Sequence, residues 1–214
     1  MLEITLADNI LLTVLSFFTA LMTSIAGAGG GTVLLAAMLQ FMNPAEAIPV
    51  HGVIQLSSNL TRIWLLRKFV IWNIVLKFSL LLPLGVYLGL KIFQSIDANE
   101  IKNLIGFFIL LALGLQNLKT FKNIKMPTNI YYLIGLVTGF LNILVGVIAP
   151  LLAVLLRQSV SEKKSIVGTL GYFGLIGNLF KIIGFTFIGF SFFKYLDSFI
   201  TVSYTHLTLP TNRE

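Results

Sequence analysis

The sequence predicts an all-α membrane protein, a polytopic transmembrane helix bundle with two inverted repeats, each starting with a broken helical hairpin. Three observations lead there. The 214 residues are 57% hydrophobic and only 11% charged, with a mean hydropathy of +0.93, whereas a soluble domain carries about 25% charged residues. Apolar stretches of crossing length alternate with stretches too short to cross. The protein also resembles itself at a fixed shift of 119 residues. Since a hydrocarbon core of about 30 Å needs roughly 20 helical residues, this length holds at most about eight crossings.

The first apolar stretch, 8 to 26, follows Glu3 and Asp8. A secretory signal would place Lys or Arg there and end on a small-residue cleavage site, so the stretch reads as a retained span. Next come 31 to 42 and, later, 147 to 157, with 12 and 11 residues. At 1.5 Å per residue each reaches about half of the hydrocarbon core. Each follows a longer stretch across a break, Gly27-Ala28-Gly29-Gly30-Gly31 in one case and Gly146 to Pro150 in the other. Such pairs read as hairpins that return to the side they left. The full crossings are 46 to 66, 71 to 93, 101 to 119 and 164 to 188, and 130 to 145 is the first arm of the second hairpin. Pro83 and Gly85 suggest a kink in 71 to 93, and Trp64 and Trp72 suit the membrane interface.

A further span begins near residue 190. From Val202 the sequence abandons the apolar pattern, and Val-Ser-Tyr-Thr-His-Leu-Thr-Leu-Pro-Thr-Asn-Arg-Glu reads like translated sequencing-adaptor text. Residues 202 to 214, His206 included, are therefore expected to be non-native and the protein to be truncated at its C-terminus. A short natural tail is the alternative. The expected organisation is a first repeat at 1–120, an incomplete second repeat at 121–201 and the tail.

Charge favours the hairpins. With the N-terminus outside and both pairs returning, one side receives Arg67, Lys68, Lys119, Lys122, Lys125, Arg157, Lys163 and Lys164. The other receives Glu3, Asp8, Glu46, Asp97 and Glu100, with Lys102 the main exception. That separation is the one the positive-inside rule expects. It also accounts for the net charge of +7 without a nucleic-acid partner, because the cations sit at segment ends and form no basic face. Absence of cysteine excludes disulfides, thiolate metal sites and cysteine nucleophiles, and two His cannot build a His-rich metal centre. No nucleophile stands with a base, so neither an enzyme nor a cofactor is expected.

The 119-residue shift aligns Thr19 with Thr138, Gly27 with Gly146, Asn59 with Asn178, Leu60 with Leu179, Arg62 with Lys181 and Ile63 with Ile182. In the hairpin arrangement 46 to 66 enters the side that 164 to 188 leaves, which makes the repeats inverted. Inverted repeats are the recurrent plan of secondary transporters, with the site near the midplane where broken helices meet.

Within 46 to 66, His51, Gln55, Asn59 and Arg62 stand at spacings of 4, 4 and 3 on one helical face. Lipid cannot satisfy such a face, so it points into the protein or a watery cavity. Polar contact between helices is the alternative for the stripe, and snorkelling for Arg62. Asn178 and Lys181 supply the matching amide and cation of the second repeat. Gly29, Gly30 and Gly31 precede a short helix whose N-terminus would offer free amides and the positive dipole end to an anion. Close helix packing is the alternative there. Gly146 and Pro150 mark the second break.

These residues resemble the sulfite exporter TauE/SafE family of bacterial membrane transporters. The likeness covers nearly all of residues 8 to 200. It rests on Gly27 to Gly31, Pro44-Ala45-Glu46-Ala47-Ile48 leading to His51-Gly52, Asn59, Arg62, the turn from Arg67 to Trp72, Gly135 and Gly139, Gly146, Pro150, and Gly168-Thr169 leading to Asn178 and Lys181. Ala36 stands where members commonly have Pro, and Ala149-Pro150 where they have Gly-Gly-Pro or Gly-Pro. The resemblance implies movement of sulfite, sulfonates or similar small anions across the inner membrane. The expected partners are thus a small anion and the lipid bilayer, with alternating access as the mechanism. The rival reading is a membrane scaffold or assembly factor whose polar face binds a partner helix.

Overall fold

The computed structural model describes residues 11–19, 29–117 and 126–195. Gly27 and the tail at 202–214 lie outside them, as do Lys119, Lys122 and Lys125. Residues 11–19 are helical (α1). They are followed by α2 (Gly30–Met38), α3 (Pro44–Leu66), α4 (Trp72–Phe93), α5 (Ala98–Asn117), α6 (Ile130–Leu144), α7 (Ala149–Leu156) and α8 (Lys163–Phe187). Among the described residues there are no strands.

Local chemistry sets the boundaries. Asn43 caps α3 by accepting from the Ala45 amide at 3.1 Å, with Pro44 in the first turn and Glu46 at the positive dipole end. Basic Arg67 and Lys68 form a 3-10 turn directly after α3. The two short helices have 9 and 8 residues, about 13 and 12 Å, so neither spans a hydrocarbon core. By contrast α4 and α8, at 22 and 25 residues, are both long and apolar enough to do so. A row of exposed leucines on α4, Leu76, Leu80, Leu84 and Leu88, repeats every four residues, the surface that lipid would cover. Trp64 and Trp72 are also exposed, beside the basic turn, and the Arg67 guanidinium lies over the Trp64 ring at 5.7 Å.

Two helix pairs organise the bundle. α4 and α6 run parallel: Gly135 meets the Phe78 carbonyl, Gly139 meets that of Leu82, and Gly89 faces Phe140 and Ile143. A side chain at Gly85, Gly135 or Gly139 would collide with the opposing backbone. Two small-x-x-x-small patterns therefore let the backbones touch, the means by which helices associate without a hydrophobic drive. The helix continues through Pro83, and Gly85 provides the close approach to α6. At the entrance to this pair the Lys77 ammonium donates to Thr128 Oγ1 at 2.8 Å and Asn129 Oδ1 at 2.9 Å.

The second pair, α3 and α8, is antiparallel. Gly52 lies against Lys181, Asn59 against Gly174, Arg62 against Gly171 and Leu66 against Gly168. The contact is reciprocal at the 119-residue shift: Gly171 stands 119 residues after Gly52 and Lys181 stands 119 after Arg62. A Cβ built on Gly52 would lie 3.0 Å from Lys181 Cδ, and one on Gly171 would lie 3.4 Å from Arg62 Cδ. Likewise α7 and α8 begin 119 residues after α2 and α3 begin. Phe78 of α4 stacks on Phe173 of α8 with centroids 3.9 Å apart and joins the two pairs.

Of the span expected from residue 190, residues 190–195 are described and 196–201 lie outside the described residues. Gly189, at φ 89°, turns the backbone after α8, and Phe192–Tyr195 form a 3-10 turn. Phe190 contacts Phe185, Phe192 and Tyr195, so this aromatic cluster folds the segment back onto the end of α8.

Candidate functional site

Both helix breaks meet at one cavity. Gly29 precedes α2 at φ 105°, and Gly146 lies between α6 and α7 at φ 77°. A side chain would strain either conformation. Residues 29, 31 and 32 from the first break and 146 to 149 from the second line a space of about 80 Å³. One water needs only about 10–15 Å³ on the same scale, so the space admits a small anion with several waters.

The polar face of α3 forms one wall. His51, Gln55, Asn59 and Arg62 all line the cavity, and Asn178 joins them from α8. His51 Nε2 lies 2.9 Å from the Gly31 carbonyl. A carbonyl only accepts, so this nitrogen carries a proton and donates. The bond ties the middle of α3 to the start of α2. His51 Nδ1 and Thr32 Oγ1 are buried with no hydrogen-bond partner among the described residues.

The first half-helix offers backbone donors. The amides of Thr32 and Val33 donate to the Gly29 carbonyl at 2.9 and 3.1 Å. Those of Gly30 and Gly31 come before them, in the turn where a helix lacks internal acceptors. The second half-helix arranges its donors differently. Its second residue, Pro150, has no amide hydrogen, while the Leu152 amide already donates to the Ile148 carbonyl at 3.1 Å. Ala149 and Leu151 remain as its amide donors, so each half-helix offers two, Gly30 and Gly31 being those of α2.

Charge is one-sided. Arg62 is the charged residue of the lining, which contains no Asp or Glu. Its stem rests on Gly171, and among the described residues its guanidinium has neither a hydrogen bond nor an ion pair. A cation held in low dielectric with unused donors attracts an anion strongly.

Of the residues expected from the sequence, Gly29, Gly31, His51, Gln55, Asn59, Arg62, Gly146 and Asn178 line the cavity. Gly30 and Pro150 are buried beside it. Lys181 differs most from the sequence expectation. It is 0% exposed, and its Nζ donates to the Gly146 carbonyl at 2.8 Å, behind the cavity wall and not into the space. The helix crossing at Gly52 steers its stem that way. Conversely, sequence reasoning missed Thr138 and Asn142 on α6 and Phe173 on α8. Asn142 Nδ2 donates to the Gly177 carbonyl at 3.0 Å, which leaves its oxygen as an acceptor. The signal for Thr138 and Asn142 was present: Thr138 takes part in the repeat alignment, and Asn142 follows one turn later in an otherwise apolar helix.

A family model described as sulfite exporter TauE/SafE matches residues 12–208. No curated protein and no solved structure matches the sequence.

Proposed function

Since the chain belongs to the sulfite exporter TauE/SafE family, we propose that it moves a small sulfur oxyanion across the bacterial inner membrane by alternating access around the cavity between its two broken helices. It is a membrane transporter and not an enzyme. The observation that carries the anion reading is Arg62, a cation with uncommitted donors in a cavity lined by polar side chains and free of carboxylates. Electrostatic attraction in low dielectric and the amides at the start of α2 favour negative charge there.

Alternating access rests on the inverted-repeat reading. Its support is the reciprocal α3–α8 crossing and the common 119-residue offset of α2 with α7 and of α3 with α8. Antiparallel α3 and α8 and parallel α4 and α6 are the relative directions that two returning hairpins require. On this reading the turns at 67–70 and 157–164 face the cytoplasm and the turn at 94–100 faces outward, so the membrane is crossed several times. Cysteine labelling is direct in this cysteine-free protein: Asp97→Cys should react with an impermeant reagent added outside, and Lys163→Cys only after the membrane is opened. Labelling of Lys163→Cys from outside would refute the arrangement.

Flux separates transport from a scaffold role. The purified protein in proteoliposomes should equilibrate labelled sulfite well above the rate of empty vesicles, and unlabelled sulfite should compete. A reconstituted, folded protein that leaves sulfite flux at the empty-vesicle rate would defeat the proposal.

A further inference from the structure

Lys181 calls for a role of its own, because it is a fully buried cation outside the cavity lining. Three facts define its setting. The Gly146 carbonyl belongs to a backbone break, with α6 ending at Leu144, Gly146 at φ 77° and α7 starting at Ala149. The ammonium lies on that carbonyl at 2.8 Å. The lysine stem runs past Gly52, where a Cβ would stand 3.0 Å from Lys181 Cδ, so the missing side chain on α3 leaves room for it. Among the described residues Lys181 forms no ion pair.

A carbonyl released from a helix inside a membrane must find a donor or a cation. In transporters with broken helices, unwound carbonyls commonly coordinate the coupling Na⁺ or H⁺. Here the protein supplies a cation itself. Lysine suits the task as a compact point charge with three donors on a flexible stem.

We propose that Lys181 is a tethered counter-cation of the second helix break: on the Gly146 carbonyl it stands in for a coupling metal cation, so that anion binding requires no Na⁺. It does this in two ways. It holds the break open so that residues 146 to 149 face the cavity, and it adds a second positive charge behind the wall that Arg62 faces from within. Lys181 is a positioning residue, since the wall separates it from the anion. The inference rests on the anion reading given above.

The test is binding of labelled sulfite by the purified full-length protein in detergent, in NaCl and in choline chloride of equal concentration, with melting temperature followed in parallel. The native protein should bind equally in both salts. Lys181→Met, which keeps the volume and loses the charge, should bind about tenfold more weakly or worse. Lys181→Arg should stay within a few-fold of native. Lys181→Ala should bind poorly but recover with added propylammonium, which reproduces the deleted stem and head, and not with tetramethylammonium, which has no N–H to give. A purely structural lysine would not yield rescue that depends on a donor. If Lys181→Met does not fold, the alanine variant purified in propylammonium decides the matter, by regaining fold and binding or failing to. Native binding that requires Na⁺ would overturn the proposal. So would a folded Lys181→Met that binds as native does, or an alanine variant that propylammonium cannot restore. If the native protein binds no sulfite in either salt, the anion reading itself falls, a result distinct from all of these.

Discussion

Replacing Arg62 with alanine should weaken sulfite binding about tenfold to a hundredfold while leaving the melting temperature nearly unchanged. The magnitude follows from loss of a hydrogen bond to a charged group, worth about 1.5–3 kcal/mol. Stability should hold because among the described residues the guanidinium bonds no protein group, so its removal orphans none. The stem contact with Gly171 is lost. Arg62→Lys should be milder, since the charge survives and only the planar fork of donors disappears. Direct binding measurements at two ionic strengths would check this, because a half-buried cation lining a cavity is screened less than a surface one. Affinity of Arg62→Ala within about a factor of two of native would mean that Arg62 snorkels to the interface and does not hold the anion.

The second large effect is expected at Gly31, where a carboxylate can be placed against the anion. A Cβ on Gly31 would point at the end of Gln55, 2.7 Å from Nε2, so an added side chain enters the lining of the cavity. Gly31→Asp should abolish sulfite binding. Two negative charges at close range in low dielectric repel by several kcal/mol, and pairing of the introduced carboxylate with Arg62 would remove the attracting cation instead. Gly31→Ala isolates the steric part, because the Gln55 amide is the free end of a flexible side chain and can give way. Its binding should fall only a few-fold. The His51 bond to the Gly31 carbonyl should survive both changes, as it uses backbone. Titration of each folded variant with labelled sulfite gives the comparison. A folded Gly31→Asp variant that binds as native does would exclude the start of α2 from the site.

Much of this was legible in the sequence. Apolar length and its interruptions located the helices to within a few residues: stretches expected at 46 to 66, 71 to 93 and 164 to 188 correspond to α3, α4 and α8. The four-residue rhythm of His51, Gln55 and Asn59 needed no tertiary information, because residues one turn apart on a helix must share a face. The glycine run likewise announced a break, although which glycine lines the cavity was not legible. Gly29 and Gly31 line it while Gly30 is buried, and successive residues of a helix point about 100° apart. Asn142 carried a fainter signal, since Thr138 one turn earlier is its single companion on that face of an apolar helix.

By itself, then, the sequence determined the membrane class, the helix positions, the two breaks and the polar face of α3, because each follows from hydrophobicity and spacing along a single helix. Only the tertiary structure decided that both breaks open onto one cavity, that Thr138 and Asn142 complete its wall, and that Arg62 and Lys181, equivalent at the 119-residue shift, have different partners. Arg62 faces the cavity while Lys181 is committed to the Gly146 carbonyl. The physical reason is that a long cationic side chain goes where a groove and an acceptor let it go. At Lys181 both come from other helices, the groove from Gly52 on α3 and the acceptor from the break after α6.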